Sequence, residues 1–214
     1  MGRFRTLQMA RLLLLPLLVG WGAGVCADDQ PVAKFSTTVF GTTIPGDGLH
    51  GQVYELLRGM TYLPYFTTMR PLTTLYTKSL NIPNQEFSQG FPDLPNLKEW
   101  FAVDYQGTIW ISESGEYHFQ LISDDGSKLY LDDVQIIDND GIHPARSMEA
   151  AVQLKKGSHR IRISYFQGPR ERLALVFSVA RPNDTAWHIF NTDDFRKPTG
   201  AKDHKKSEVE KPAK

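Results

Sequence analysis

The chain has 214 residues, of which 41% are hydrophobic and 11% aromatic, so it can bury a core and is not globally disordered. Its 24 basic and 24 acidic residues cancel, but residues 28–196 hold 15 of the basic and 21 of the acidic ones. This acidic body excludes a nucleic-acid-binding role, because neutralising phosphates requires a basic face. It is compatible with sugars, cations or basic proteins as partners.

Residues 1–27 have the pattern of a secretory signal peptide. Three arginines precede an apolar run at 12–20, and Val25 and Ala27 provide the residues expected before a cleavage site. The run is too short to span a bilayer, so we expect no membrane span in the mature chain. The pattern is typical of bacteria and predicts an exported protein, either periplasmic or extracellular. An uncleaved anchor and a lipid anchor at Cys26, the only cysteine, are the alternatives.

The next segments are rich in residues that form turns. Residues 28–47 contain several Thr, Pro and Gly and are predicted to form a lead-in to the domain. Between residues 48 and 100, five prolines interrupt short apolar stretches. This spacing excludes long helices, because proline removes a backbone donor and clashes with the preceding turn. We therefore expect short strands, at most one helical turn and surface loops in this region.

From residue 101 onward, hydrophobic and polar residues alternate with the period of a β-strand. Tyr117, Phe119 and Leu121, for example, fall on one face of their segment. Short strands at this spacing predict an all-β domain, an antiparallel sandwich or barrel, over residues 48–196. Residues 197–214 are charged and lack aromatics, and are predicted to be a disordered tail. Glycine-containing turns separate the four clearest strand segments, which are 116–122, 148–154, 160–166 and 173–179.

The stretch from Trp100 to Val179 resembles a PA14 domain. Its motifs stand in the order of that family: the strand WFAVDYQGTIW, then GEYHF, the loop SDDGS, the aspartate-rich IDNDG and finally LKKGSHRIRISYF. Each motif alone is weak, but their order and spacing together are specific. The resemblance implies an antiparallel β-sandwich or barrel-like fold. It also implies a non-catalytic binding or adhesion module, and some members of this family bind sugars through calcium.

Asp124 and Asp125 carry the strongest chemical signal in the sequence. They follow a predicted strand and precede Gly126. Two carboxylates on one loop suit Ca²⁺, a hard cation that prefers oxygen ligands. In the sugar-binding members that the chain resembles, this pair is joined by a cis peptide and both carboxylates bind one calcium ion. The alternative is a tight turn, in which Asp124 accepts hydrogen bonds from backbone amides and Gly126 takes a positive φ.

A later loop supplies three more candidate ligand residues. Gln167 stands where the calcium-dependent members have an asparagine. Arg170 and Arg172 could donate hydrogen bonds to a glycan hydroxyl or carboxylate, with a solvated face as the alternative. Four aromatic residues are either core residues or platforms on which a sugar could stack: Trp110, Tyr130, Tyr165 and Phe166.

Other polar positions favour structural roles. His143 and His159 stand at positions of the family pattern and are expected to form structural hydrogen bonds. Asp132-Asp133 stands where the family has a hairpin turn, and such a turn requires a positive φ at Asp133. The sequence contains no nucleophile elbow, His-Glu-x-x-His or phosphate loop, so we expect no enzyme.

Together these observations predict an exported, non-catalytic module that binds a glycan or cell-surface polysaccharide, with calcium as a possible cofactor. The alternative is a structural or adhesive module of the cell envelope that docks to another protein. A glycan site predicts a pocket at one end of the sandwich, whereas a docking module predicts a flat or apolar patch.

Overall fold

The computed structural model describes residues 37–169 and 172–199. Within these residues the predicted all-β class is confirmed, since the helical elements there are two short 3₁₀ turns, Phe66–Thr68 and Thr192–Phe195. No helix in this part of the chain has the length and hydrophobicity that a membrane span requires. Several predictions fall outside the described residues, namely the signal peptide 1–27, Cys26, most of the lead-in, Arg170 and positions 200–214 of the tail.

Thirteen strands of the described residues form two antiparallel sheets. In chain order they are β1 Thr37–Thr38, β2 Gly41–Thr42, β3 Leu49–Glu55, β4 Thr73–Thr77, β5 Asn81–Gln85, β6 Phe101–Ile111, β7 Gly115–Asp124, β8 Ser127–Leu131, β9 Val134–Asn139, β10 Arg146–Leu154, β11 Gly157–Gln167, β12 Leu173–Ala180 and β13 His188–Ile189. The large sheet has the order β1-β2-β4-β3-β6-β11-β8-β9. The small sheet has the order β10-β7-β12-β13, and β5 also pairs with β12.

Alternating apolar residues of both sheets meet in one hydrophobic core, as the period-2 pattern predicts. In β7, Tyr117, Phe119 and Leu121 are buried, and residues between them are exposed or half-buried. In the edge strand β10 the same pattern is weaker: Leu154 is buried, whereas Met148 is exposed. An edge strand has a neighbour on one side only, so its inward side chains are covered less completely.

The large sheet begins before residue 48, within the segment predicted to be a lead-in. Strands β1 and β2 form its edge. Between them, Phe40 is fully buried, and its carbonyl oxygen accepts a hydrogen bond of 2.6 Å from the Tyr105 hydroxyl. Its ring packs edge-on against Phe87 and Phe101. Phe40 and the pairing of β2 with β4 thus attach this segment to the domain.

A second, smaller core lies on the outer face of the large sheet. Tyr54, Ala102 and Phe166 alternate with inward-facing residues on β3, β6 and β11, and they are buried on this face. The chain between β3 and β4, which we call the cover segment (residues 56–72), packs Leu56 and Phe66 against them. The cover segment therefore shields part of the outer face of the large sheet from solvent. It lies near the loop that follows β7.

Candidate ligand site at the end of the sandwich

Asp125 lies at the centre of the loop between β7 and β8. Its side chain is only 4% exposed, and the peptide bond between Asp124 and Asp125 is cis. One carboxylate oxygen accepts a hydrogen bond from the His143 amide at 3.0 Å, and the other accepts one from the Gly168 amide at 2.9 Å. This carboxylate therefore holds three loops together: those after β7, β9 and β11.

Asp124 is more open than its neighbour. Its carbonyl oxygen lies 2.7 Å from the Tyr165 hydroxyl, and its carboxylate is near enough to the Ala145 amide for that amide to lower its pKa. Among residues 37–169 and 172–199, no lysine or arginine side chain lies within 4 Å of either carboxylate. The loop therefore presents two adjacent carboxylates without an ion pair from the described part of the chain, and the more distant charge of Arg172 lowers the pKa of Asp124 only in part.

This arrangement disfavours the charged forms of both aspartates. Burial raises the pKa of Asp124, the charge of Asp125 raises it further, and the Ala145 amide opposes the rise. Burial likewise raises the pKa of Asp125, against the lowering effect of the Gly168 and His143 amides. A cation at this loop would relieve both the burial cost and the repulsion.

The raised pKa of Asp124 predicts a pH-dependent stability in calcium-free buffer. A carboxyl group whose pKa is higher in the folded state stabilises the fold below its ordinary value of 3.8, and this contribution is lost as the pH rises through the raised value. The Asp124→Asn variant stays neutral at every pH. We therefore expect it to melt at a higher temperature than the wild type near neutral pH. The difference between the two melting temperatures should shrink as the pH falls toward the ordinary pKa of aspartate. Thermal melts that show the same difference from neutral to acidic pH would contradict the argument.

Gln167 supports the site through buried hydrogen bonds. Its side chain is 2% exposed, and its Oε1 lies 2.7 Å from the Tyr165 hydroxyl. Its Nε2 donates to the carbonyl oxygens of Pro169 and Arg172 at 2.9 and 3.1 Å. Both ends of the amide are thus engaged within the protein. The Nε2 atom holds the carbonyl groups of Pro169 and Arg172 close together.

Arg172 lies at the rim of a neighbouring cleft. Its guanidinium donates to the Asn84 side-chain and carbonyl oxygens at 2.6 and 2.7 Å. The cleft has a volume of about 450 Å³. The structure therefore brings Gln167 and Arg172 to one cleft and connects Gln167 to Asp124 through Tyr165. The lining residues are Glu86, Phe87, Ser88, Lys98, Gln167, Arg172 and Leu173.

Gly126 does not have the positive φ considered for the tight turn. The glycine is required by close packing instead, because a Cβ atom at this position would overlap the Phe166 ring and lie 2.9 Å from Asp140 Oδ1. Gly126 therefore allows the aspartate loop to pass directly over the smaller core. The sequence shows a glycine after the aspartates but does not reveal which of the two reasons applies.

Other expectations from the sequence are confirmed. The ring nitrogens of His143 lie 2.9 Å from the Asn139 and Pro144 carbonyl oxygens. His159 contacts Asp132 at 2.6 Å and the Lys155 carbonyl at 2.7 Å. Asp133 has a φ of 69°, as the hairpin turn requires, and Asp132 has a φ of 47°. Tyr165 and Phe166 are fully buried core residues, whereas Trp110 and Tyr130 are half-buried.

The amides of His143 and Gly168, which bind the Asp125 carboxylate, could not be recognised in the sequence. Every residue except proline carries such an amide, so the residue types gave no signal. The described residues contain no group of three or more His, Cys, Asp and Glu side chains that could hold a metal ion. An ion at this loop would therefore need backbone carbonyls, water or ligand hydroxyls to complete the 6–8 oxygens that Ca²⁺ prefers, about four or more beyond the aspartates.

Solved structures share this fold. The PA14 sugar-binding domain of an RTX adhesin superposes with a TM-score of 0.59 at 18% identity, covering 70% of this chain and 97% of that one. An adhesin A domain from Candida glabrata, in complex with Galβ1-3GlcNAc, gives 0.52 at 14% identity over 75% and 94%. An anti-sigma factor domain-containing protein gives 0.55 at 20% identity over 72% of this chain, which spans half of that one (50%).

A search of the curated proteins found no match. The sequence model of the PA14 domain, in contrast, matches residues 63–190, which is more than half of the chain and includes β4 to β13. This match agrees with the order of motifs in the sequence, with the two antiparallel sheets and with the cis peptide in the aspartate loop. The chain belongs to the PA14 domain family.

Proposed function

We propose that this chain is an exported, non-catalytic carbohydrate-binding module whose Asp124 and Asp125 hold a calcium ion. The observation that carries the proposal is the pair of adjacent carboxylates on one loop, which have raised pKa values and, among the described residues, no lysine or arginine side chain within 4 Å. Sugar-binding domains with the same fold support the ligand class. The signal-like sequence of residues 1–27 supports export.

The carboxylates fit a calcium ion in their chemistry. Both are oxygen donors on one loop, and Asp125 is held in place by two backbone amides. When bound, the ion would supply a positive charge that orients neighbouring hydroxyl groups of a sugar. Asp124 is the more open of the two and would face the ion and the ligand directly, whereas Asp125 would join it from the buried side.

The remaining predicted ligand residues would have different roles. Because the Tyr165 hydroxyl lies between Gln167 Oε1 and the Asp124 carbonyl oxygen, at 2.7 Å from each, we assign Gln167 to the support of the loop and not to direct ligation. Arg172 would lie at the rim, where it is already oriented by Asn84. A saccharide that extends from the aspartates toward the cleft would meet this side chain.

Calcium titration by calorimetry tests this proposal directly. We expect a heat of binding and a calcium-raised melting temperature for the wild type, and neither for Asp124→Asn. Asp133→Asn is the matched control, because Asp133 belongs to the second Asp-Asp pair and lies in an exposed hairpin turn. It should bind calcium like the wild type. Absence of heat in the wild type would mean that the aspartates only shape the loop.

A glycan array in calcium and in chelator then tests the ligand class. We expect binding of saccharides by the wild type in calcium, and loss of that binding in chelator or in Asp124→Asn. If no saccharide binds, an envelope docking module becomes the favoured function. The observation that supports this second candidate is Leu57, which is 81% exposed and lines a cleft of mixed apolar and charged residues. Its apolar lining includes Met60, Met69, Leu97 and Trp100.

A further inference from the structure

The outer face of the large sheet contains a second groove, separate from the aspartate loop. It has a volume of about 470 Å³ and lies between the cover segment and strands β8 and β11. Two tyrosines of the cover segment form its wall, and both rings are open: Tyr62 is 64% exposed and Tyr65 is 89% exposed. The floor consists of polar and aromatic side chains, namely Lys128, Tyr130, Arg162 and Ser164.

Arg162 is held in this floor by an ion pair and by two aromatic rings. Its Nε donates to Asp104 Oδ1 at 2.8 Å, and its guanidinium carbon lies 5.2 Å from the centre of the Tyr130 ring and 5.5 Å from that of Phe66. Within the described residues, neither of its Nη atoms has a hydrogen-bond partner. A rigid guanidinium with unused donors is pre-organised to bind an acceptor with two oxygens.

The two basic groups of the groove differ in how their charges are paired. Asp104 is 2% exposed and also accepts from Ser164 at 2.6 Å, while the side chain of its partner Arg162 is 39% exposed. Lys128 contacts two carboxylates, Asp140 at 2.9 Å and Asp138 at 3.7 Å, and the Asp138 side chain is more exposed than that of Lys128. Burial opposes the charged form of Lys128, but its hydrogen bond to Asp140 outweighs this and raises its pKa. Arg162 is therefore the positive group that the groove presents outward.

Asp140 also joins this groove to the rest of the molecule. Its Oδ1 accepts from the Leu63 amide at 2.9 Å, which attaches the cover segment to the loop after β9. The hydrogen bond from the Leu63 amide to Asp140 therefore holds the tyrosine wall beside the floor of the groove. Open aromatic faces suit the apolar faces of sugar rings, and fixed polar groups beside them provide selectivity.

From these observations we infer that the groove binds a saccharide that carries a carboxylate, such as a uronic acid residue, and does so without calcium. The carboxylate would accept hydrogen bonds from the Nη atoms of Arg162. The sugar ring would lie against Tyr62 and Tyr65. This site is distinct from the proposed calcium site, and either can exist without the other.

The first test is an NMR titration of the purified protein in calcium-free buffer at constant ionic strength. The probes are glucuronate, galacturonate and mannuronate, with glucose, galactose and mannose as neutral counterparts and acetate as a carboxylate without a ring. We expect at least one uronate to shift the Arg162 Nε–H signal together with the Tyr62 and Tyr65 ring signals. No shift with any uronate, an equal response to the neutral sugars, or an equal response to acetate would each overturn the inference.

Variants then separate ligand contact from folding. Tyr65→Ala removes an open ring, so the fold should be unaffected while the affinity for the responding uronate falls about tenfold, a loss of one aromatic contact. Arg162→Lys keeps the charge beside Asp104 but removes the fork, so it should weaken binding of the responding uronate while the response to the matching neutral sugar stays unchanged. Leu57→Ala is the matched control, since Leu57 is equally open on the same segment but does not line the groove. Unchanged uronate affinity in Tyr65→Ala would contradict the inference.

The two proposals can fail independently. Asp124→Asn should lose calcium binding and keep the uronate response, whereas Tyr65→Ala should keep the heat of calcium binding. If Asp124→Asn abolishes the uronate response in calcium-free buffer, the groove is not a separate site.

Discussion

Gly126→Ala is expected to lower the free energy of unfolding by about 1–3 kcal/mol, and Gly126→Val by more. A Cβ atom there would overlap the ring of Phe166, which is fully buried, and would approach Asp140 Oδ1. Neither neighbour can move without cost, because Phe166 lies in the smaller core and Asp140 is bonded to the cover segment. Urea unfolding at equilibrium measures the change.

Gly46→Ala provides the matched control. At Gly46 the nearest atom to an added Cβ is 4.0 Å away and φ is not positive, so this change should be neutral or slightly stabilising. Combining Gly126→Ala with Phe166→Leu should cost less than the sum of the two single changes, because the smaller side chain makes room. Wild-type stability in Gly126→Ala would show that the loop does not pack on Phe166 as described.

Asp125→Asn and Asp125→Ala are expected to destabilise the protein by about 1–3 kcal/mol in calcium-free buffer near neutral pH. Both carboxylate oxygens accept backbone amides, from His143 and Gly168. An asparagine replaces one acceptor with a donor that faces an amide, and an alanine leaves both amides without their partner. The raised pKa of Asp125 reduces this loss, because the variants also remove a charge whose burial is unfavourable.

The comparison with Asp124→Asn makes the experiment decisive. Asp124 and Asp125 are neighbours with the same side chain, and both variants should lose calcium binding. We expect opposite effects on stability without calcium, however, since the two amide hydrogen bonds are made to Asp125, whereas Asp124 is the more open residue. Denaturant unfolding and calcium calorimetry on both variants give the four values needed. Equal stabilities would mean that Asp125 has no structural role beyond that of Asp124.

Much of the fold could be predicted because its strands leave a simple trace in the sequence. Tyr117, Phe119 and Leu121 alternate because one face of β7 meets the core, and such a pattern depends only on neighbours along the chain. The aspartate loop was found for the same reason: its two carboxylates and its glycine are adjacent. The family resemblance added the cis peptide, which the structure contains.

The features that could not be predicted depend on residues far apart in the chain. Phe40 joins the core through Tyr105, 65 positions later, and so extends the sheet into the predicted lead-in. Tyr65 and Arg162 line one groove although nearly a hundred positions separate them. Gln167 carries a side-chain oxygen of the kind that binds calcium. Only its contacts in the structure show that both Oε1 and Nε2 are engaged within the protein. In each case the spatial neighbour, and not the residue type, decides the role.

The path of the chain between the two sheets has a consequence for how the domain is built up. From β4 to β12, every connection in the described part except β8–β9 passes from one sheet to the other. Neither sheet can therefore be completed by a continuous stretch of sequence, and its pairings join strands that are distant along the chain. Folding should be slow and all-or-none, with no stable half-domain along the way. Truncation within these strands would unfold the whole domain. The domain can therefore be fused to another protein only with all of these strands present.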